Sequence, residues 1–172
     1  SIGIVYSWFA YIYAKDQLGY NKHLKDVENL YRMSMQVDMF GNLISFSGCS
    51  HVTVDQVVNE IPEVLEAARF TDDHAMMELG RSAVARDYLI AEKNLLDYLN
   101  LDFVEGQAGD FIAPRQAVIS ESFAYKLGIR GRALDGYIKL LDSTSYVSYQ
   151  IVGVYKDIPK NTSVNTDLIL PY

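Results

Sequence analysis

The stretch Tyr146–Tyr172, YVSYQIVGVYKDIPKNTSVNTDLILPY, decides how the chain is to be read. Its first ten residues are dense in β-branched and aromatic side chains, which suit a pleated, half-buried surface. Gly153 interrupts that run, and a missing side chain inside a strand marks a bulge or a close backbone approach. Lys156 to Asn161 carries turn chemistry. Pro159 fixes its own φ, while Asp157 and Asn161 bond to nearby backbone. Ser163 to Leu170 is extended again and stops at Pro171. The expectation is a strand, a tight connection and a second strand.

Working outward, the chain has 172 residues, enough for one domain with a real core. Its net charge of −7 and the absence of any basic stripe argue against nucleic acid as a partner. The single cysteine, Cys49, excludes an internal disulfide and reads as a small apolar core residue. At the other end, Ile2 to Ala14 holds thirteen residues without a charge. As a helix it spans about 20 Å, short of the roughly 30 Å hydrocarbon core. It lacks the basic flank and cleavage site of a signal peptide. The chain begins at Ser1, as a trimmed fragment would. Two readings stand: a buried core helix, or the outer end of a membrane helix, with Trp8, Tyr11 and Tyr13 as interfacial rings.

The remaining elements follow from pattern. A helix runs to about Leu18 and breaks at Gly19, and a short helix is expected around Leu24 to Leu30. Tyr31 to Met39 and Leu43 to Phe46 form strands around a Gly41-Asn42 turn. Thr53-Val54-Asp55-Gln56 has the form of a capping box that starts a helix, which ends near Glu60 before Pro62. Val64 to Phe70 is a strand and Thr71 to His74 a loop. Ser82 to Ala91 is a strand, Lys93 to Leu99 a short helix, and Leu101 to Gly106 extended. Gln116 to Ile119 is a strand, after which Ser120 caps a helix that Gly128 ends. Strand–helix–strand recurs around 31–70 and 116–155, as in split β-α-β lobes.

Motifs for catalysis are missing from the sequence: there is no G-x-x-x-x-G-K-[ST], H-E-x-x-H, C-x-x-C or G-x-S-x-G. Gly128-Ile129-Arg130-Gly131 lacks the lysine of a phosphate cradle. His51 and His74, with Asp72, Asp73 and Glu78, are the residues from which a metal site would have to be built, but their irregular spacing suits solvated loops better. Met33, Met35, Met39, Met76 and Met77 read as core packing rather than a copper site. Cys49 and His51 form a nucleophile–base pair only if a third group orients them, and the sequence identifies none. No catalytic, cofactor-binding or metal-binding residue is assigned.

The residue order in IVGVYKDIPKNTSVNTDLIL resembles the end of the extracytoplasmic domain of MacB-like and FtsX-like ABC transporter permeases, chiefly the type common in Bacteroidetes. Gly153, Val154, Lys156, Asp157, Pro159 and Asn161 fall on that pattern. YNKHLKDVENLYRM, Tyr20 to Met33, is similar to the first segment after the membrane in the same permeases, with Tyr20, Lys22, Asn29, Tyr31 and Arg32 on the pattern. Asn21 stands where the family has Asp, and His23-Leu24 is transposed. AVISESFAYKLG is also similar to a family segment, whereas Leu134 to Leu140 lacks the family proline.

The resemblance implies an α+β fold: a porter-like lobe of β-α-β units plus a smaller mixed lobe, placed at roughly 75–115. Residues 1–19 would be the outer end of the first membrane helix and 20–172 the extracytoplasmic domain. It further implies a non-catalytic role without cofactors, on the periplasmic side of a bacterial inner membrane. There the domain would pass ATP-driven conformational change to a substrate or partner. The implied partners are an ATP-binding subunit or domain, a second permease copy, and a periplasmic protein or lipoprotein. The alternatives from other classes are a free-standing periplasmic or surface binding module, and a small hydrolase using Cys49 or a His–carboxylate pair.

Overall fold

The architecture is taken from a computed structural model that describes residues 2–79, 82–129, 131–142 and 144–172. The chain divides into two units, Ser1–Val27 with Arg69–Tyr172, and Glu28–Ala68.

The larger unit is built on a seven-stranded sheet of β3 (Phe70–Leu79), β4 (Ser82–Ala91), β5 (Phe103–Gly106), β6 (Gln116–Ser120), β7 (Tyr137–Asp142), β8 (Ser145–Tyr155) and β9 (Leu168–Pro171). Its helices are α1 (Ile2–Leu18), α3 (Lys93–Tyr98) and α4 (Glu121–Lys126). The strand order is β5-β8-β6-β9-β4-β3-β7, and β7 also pairs with β8. The sheet therefore returns on itself, closed where Met77 of β3 meets Leu140 of β7. β8 is the longest strand and has three neighbours. Its first half takes β7 antiparallel, from Asp142↔Ser145 to Tyr137↔Gln150. Its second half takes β6 parallel along one edge and β5 antiparallel along the other.

Chain order explains the parallel pairing. β6, α4, β7 and β8 form a β-α-β-β unit, because parallel neighbours need a crossover and α4 lies in it. Ser120 starts α4 as expected: its Oγ accepts the N–H of Phe123 at 3.2 Å. Gly128 follows the end of α4 with φ +71°. Ala117, Ile119, Ile151, Val154, Leu168 and Leu170 form one buried cluster with Phe123 and Ala124 of α4. Val118 and Ile169 alternate with them and are buried as well. Strands covered on both faces read as continuous apolar runs, as AVI and LIL do here.

Gly153 does both things that a glycine in a strand suggests. The ladder skips Val152, since Ala117 pairs with Ile151 and Val118 with Gly153. A Cβ at 153 would lie 2.6 Å from the Phe103 ring. Its partner across the ladder is Gly106, at φ +69°, where a Cβ would stand 2.2 Å from the Val152 carbonyl oxygen.

The smaller unit contains the hairpin β1 (Met35–Met39) and β2 (Asn42–Phe46), then α2 (His51–Glu60). The two turn residues Phe40 and Gly41 both have positive φ, 56° and 84°, as a twisted two-residue hairpin turn requires. Asp38 Oδ1 accepts the Gly41 N–H at 2.7 Å and holds it.

Several expectations are corrected. The described residues of 75–115 belong to the larger unit, and the smaller unit is Glu28–Ala68. Residues 31–69 contain a hairpin and a helix, not a second β-α-β unit, because among the described residues β1 and β2 pair only with each other. Thr71 to His74 belong to β3: pairing of Thr71 through His74 with Ile90 through Asp87 overrides their weak strand propensity. Val64 to Arg69 has no ladder partner and is not a strand. The short helix at Leu24 to Leu30 shrinks to a 3₁₀ turn, Val27–Asn29. The α2 N-cap is Ser50, so Thr53 sits inside the first turn and donates its N–H to the Ser50 carbonyl. Met33, Met35 and Met39 are not core residues, for no residue of 28–68 is buried, while Met77 is. Cys49 is only half-buried.

The close approach at the β5–β8 ladder gives a direct test. Gly106→Ala is expected to cost about 2–4 kcal/mol, from left-handed strain plus overpacking. Urea denaturation of the purified chain measures it, and a loss below 1 kcal/mol would contradict the described geometry.

Candidate functional site: the junction of the N-terminal helix with the sheet

Gly19 ends α1 by donating its N–H to the Lys15 and Asp16 carbonyls. Beyond it the chain needs a residue that tolerates the left-handed region, and Asn21 takes φ 60° there. That conformation aims Asn21 at the connection between β8 and β9. Its N–H donates to the Asn161 carbonyl at 3.0 Å. Its Oδ1 accepts from the Ser163 N–H at 2.7 Å, the Thr162 hydroxyl at 3.1 Å and the Ser163 hydroxyl at 3.2 Å. Asn161 Nδ2 comes so near the end of α1 that a Cβ on Gly19 would stand 3.0 Å from it.

The connector then crosses to a second anchor. The Lys25 N–H donates to the Tyr98 carbonyl at 3.0 Å, and Asn100 Nδ2 donates to the His23 carbonyl at 3.2 Å. The His23 ring lies 3.4 Å from the Thr162 hydroxyl, and burial lowers its pKa from the usual value.

The other residues of the 156–167 connection tie down its remaining sides. The Lys156 ammonium pairs with Asp102 just before β5, which raises its pKa. Asp157 Oδ1 accepts the Ser122 N–H in the first turn of α4 at 3.1 Å. Asp167 accepts both the Ser120 hydroxyl and, through its carbonyl, the Ser120 N–H, each at 2.9 Å. The Tyr155 hydroxyl donates to the Thr166 carbonyl, and burial pushes its pKa well up. Lys156, Asp157 and Asn161 thus each fix a different contact of one loop.

The sequence candidates for chemistry are divided between the two units. His51 opens α2 in the smaller unit and His74 lies mid-strand in β3 of the larger. Asp73 accepts the His74 N–H and the Tyr88 hydroxyl. Burial and then Asp73 push the Tyr88 pKa up to about 12. Glu78 pairs with Lys139 at 3.1 Å. Among the described residues no three His, Cys, Asp or Glu side chains are grouped to hold a metal. A shallow cleft of about 570 Å³, lined among others by Glu92, Asp97 and Phe111, contains no histidine or cysteine. At Gly128–Gly131, Arg130 lies outside the described residues. The neighbouring N–H groups of Gly131 and Ala133 donate to the Glu105 carboxylate, the reverse of a phosphate cradle.

α1 itself leaves its apolar side chains exposed: Ile4 is 71 %, Trp8 63 % and Tyr13 68 % accessible. Among the described residues no helix is long and apolar enough to cross a membrane.

With this fold and junction described, the comparisons are specific. The chain belongs to the MacB-like periplasmic core domain family, whose model matches residues 4–172. It is the periplasmic core domain of a MacB-like transporter permease. Among solved structures it is similar to a domain of a protein described as a permease from Porphyromonas gingivalis. That likeness has 29 % identity, a TM-score of 0.64, and covers 76 % of this chain and 55 % of that one. It also shares the fold of the extracellular domain of the ABC-type transporter YknZ from Gram-positive bacteria, at 14 % identity and TM-score 0.54, covering 72 % and 62 %. The chain therefore spans little more than half the length of the Porphyromonas domain. A comparison with curated proteins finds no match.

The junction makes stability depend on pH in a defined direction. Because the folded chain lowers the His23 pKa below its ordinary 6.5, protonation favours the unfolded chain. The stabilisation is fully present above about pH 6.5 and is lost as pH falls through the folded value. His23→Gln is expected to flatten the fall in urea midpoint between pH 7.5 and 5.5. An unchanged slope would contradict this placement of the ring.

Proposed function

We propose that this chain is the extracytoplasmic portion of an ABC permease and passes conformational change from the bilayer to the periplasm. α1 is then the outer end of the first membrane helix, and residues 20–172 are the domain that it moves. The ATPase, separate or fused, supplies hydrolysis. A second permease copy completes the transporter, and a substrate, periplasmic protein or lipoprotein receives the motion. The domain has no catalytic role of its own in this reading.

The observation that carries the proposal is the exposure of α1. Ile4, Tyr6, Trp8, Phe9, Tyr11 and Tyr13 are all more than half accessible, and residues 2–14 carry no charge. A helix whose apolar groups are left open all round contributes little to the core of its own domain. The same helix in lipid buries that surface, with the rings at the headgroup level. Just past its far end, Asn21 is hydrogen-bonded to the loop before β9, so a rigid displacement has a path into the sheet.

Site-directed labelling of the full-length permease in spheroplasts tests this. In a Cys49→Ser background, Lys160→Cys is expected to react with a membrane-impermeant maleimide from outside, and Ile4→Cys to react at least tenfold more slowly. Equal, rapid labelling at both positions would overturn the assignment of α1, and protection of Lys160→Cys would overturn the location of the domain.

A further inference from the structure

We propose that the segment from Gly19 to Lys25 is a detachable strap, held engaged by Asn21, that determines whether a displacement of α1 reaches the sheet. The proposal rests on the coupling reading above and adds to it a named positioning residue.

The strap's bonds converge on two strand lead-ins. One is Asn161 to Ser163, the connection into β9, which lies between β6 and β4 in the sheet. The other is the end of α3 at Tyr98 and Asn100, from which the chain runs into β5 beside β8. An engaged strap therefore hands a movement of Gly19 to both lead-ins together. A released strap leaves α1 joined to the domain by the covalent chain and one long contact, Asn161 Nδ2 to the Asp16 carbonyl at 3.5 Å.

Two features make it detachable. No residue from Gly19 to Lys25 is buried, so few apolar contacts resist opening. The groups named above as joining it to the domain are backbone amides and carbonyls, the side chains of Asn21, Asn161, Asn100, Thr162 and Ser163, and the His23 ring. Uncharged groups of this kind, none of them fully buried on the strap itself, exchange protein partners for water at small net cost. Asn21 is the exception in weight, because one oxygen, Oδ1, gathers three donors from Thr162 and Ser163. Thr162 is in turn buried at 8 % accessibility, so its hydroxyl offers Asn21 a fixed docking point. The left-handed φ admits Asn, Asp and Gly with little strain, and of these only Asn and Asp supply an acceptor. Substitution at 21 thus separates the acceptor from the backbone shape.

The test is hydrogen–deuterium exchange on the full-length permease with its ATPase in lipid nanodiscs, at rest and after trapping with MgATP and orthovanadate. At rest, Asn21→Gly is expected to raise exchange of the Ser163 amide by about tenfold. On trapping, the wild type is expected to change exchange both in α1 and at 161–163. Asn21→Gly keeps the α1 response and loses the one at 161–163, and Asn21→Asp restores it. An intact 161–163 response in Asn21→Gly overturns the strap. A wild type in which α1 responds but 161–163 does not overturns it equally. Absence of any wild-type response in α1 overturns the coupling reading as well. Protection at Ile119 of β6 reports whether each variant is folded. Should Asn21→Gly unfold, Thr162→Val with Ser163→Ala removes two of the three donors from the other side. That double variant must uncouple in the same way, or the strap is refuted.

Discussion

β8 holds β7, β6 and β5 at once, and β5 can join it because the chain has no side chain at 153 or 106. With two glycines facing each other, β5 comes close enough to complete the ladder, while β8 bulges at Val152 against β6 on the other edge. Everything else hangs from that strand. β6 carries α4 and its caps, β9 continues the sheet to β4 and β3, and the return of β3 to β7 closes it. The loop that leaves β8 at Lys156 inherits a fixed starting point, and that loop receives the N-terminal connector.

Two stretches in the second half of the chain were legible for different reasons. Tyr146–Tyr155 and its turn residues declare a strand by local chemistry, and Ser120 with Gly128 brackets α4 by capping chemistry. Both are short-range signals, and both survive into the structure. Non-local pairing was not legible. Thr71-Asp72-Asp73-His74 has the composition of a loop, and only β4 opposite it makes it a strand.

The junction shows the limit most clearly. Asn21 and Ser163 are separated by 142 residues, and nothing in either stretch says that one amide oxygen will gather donors from the other. Both stretches carried the family resemblance, however, and the contact between them is a physical reason for their co-occurrence: Lys156, Asp157 and Asn161 shape a loop, and Asn21 uses it. Of the residues that tempt a catalytic reading, Cys49 and His51 lie at the start of α2 in the smaller unit and His74 in β3 of the larger, where Asp73 and Glu78 are bonded to Tyr88 and Lys139.

In the proposed function α1 is a membrane helix in its upper half and a lever in its lower half. Electron cryo-microscopy of the full-length permease in lipid nanodiscs tests it most directly. The account gives α1 as the unbroken continuation of a membrane helix, with Trp8 at the headgroup level and Asn21 seated against Thr162 and Ser163. An α1 folded back so that Ile4, Trp8 and Tyr11 lie buried on the sheet would contradict it.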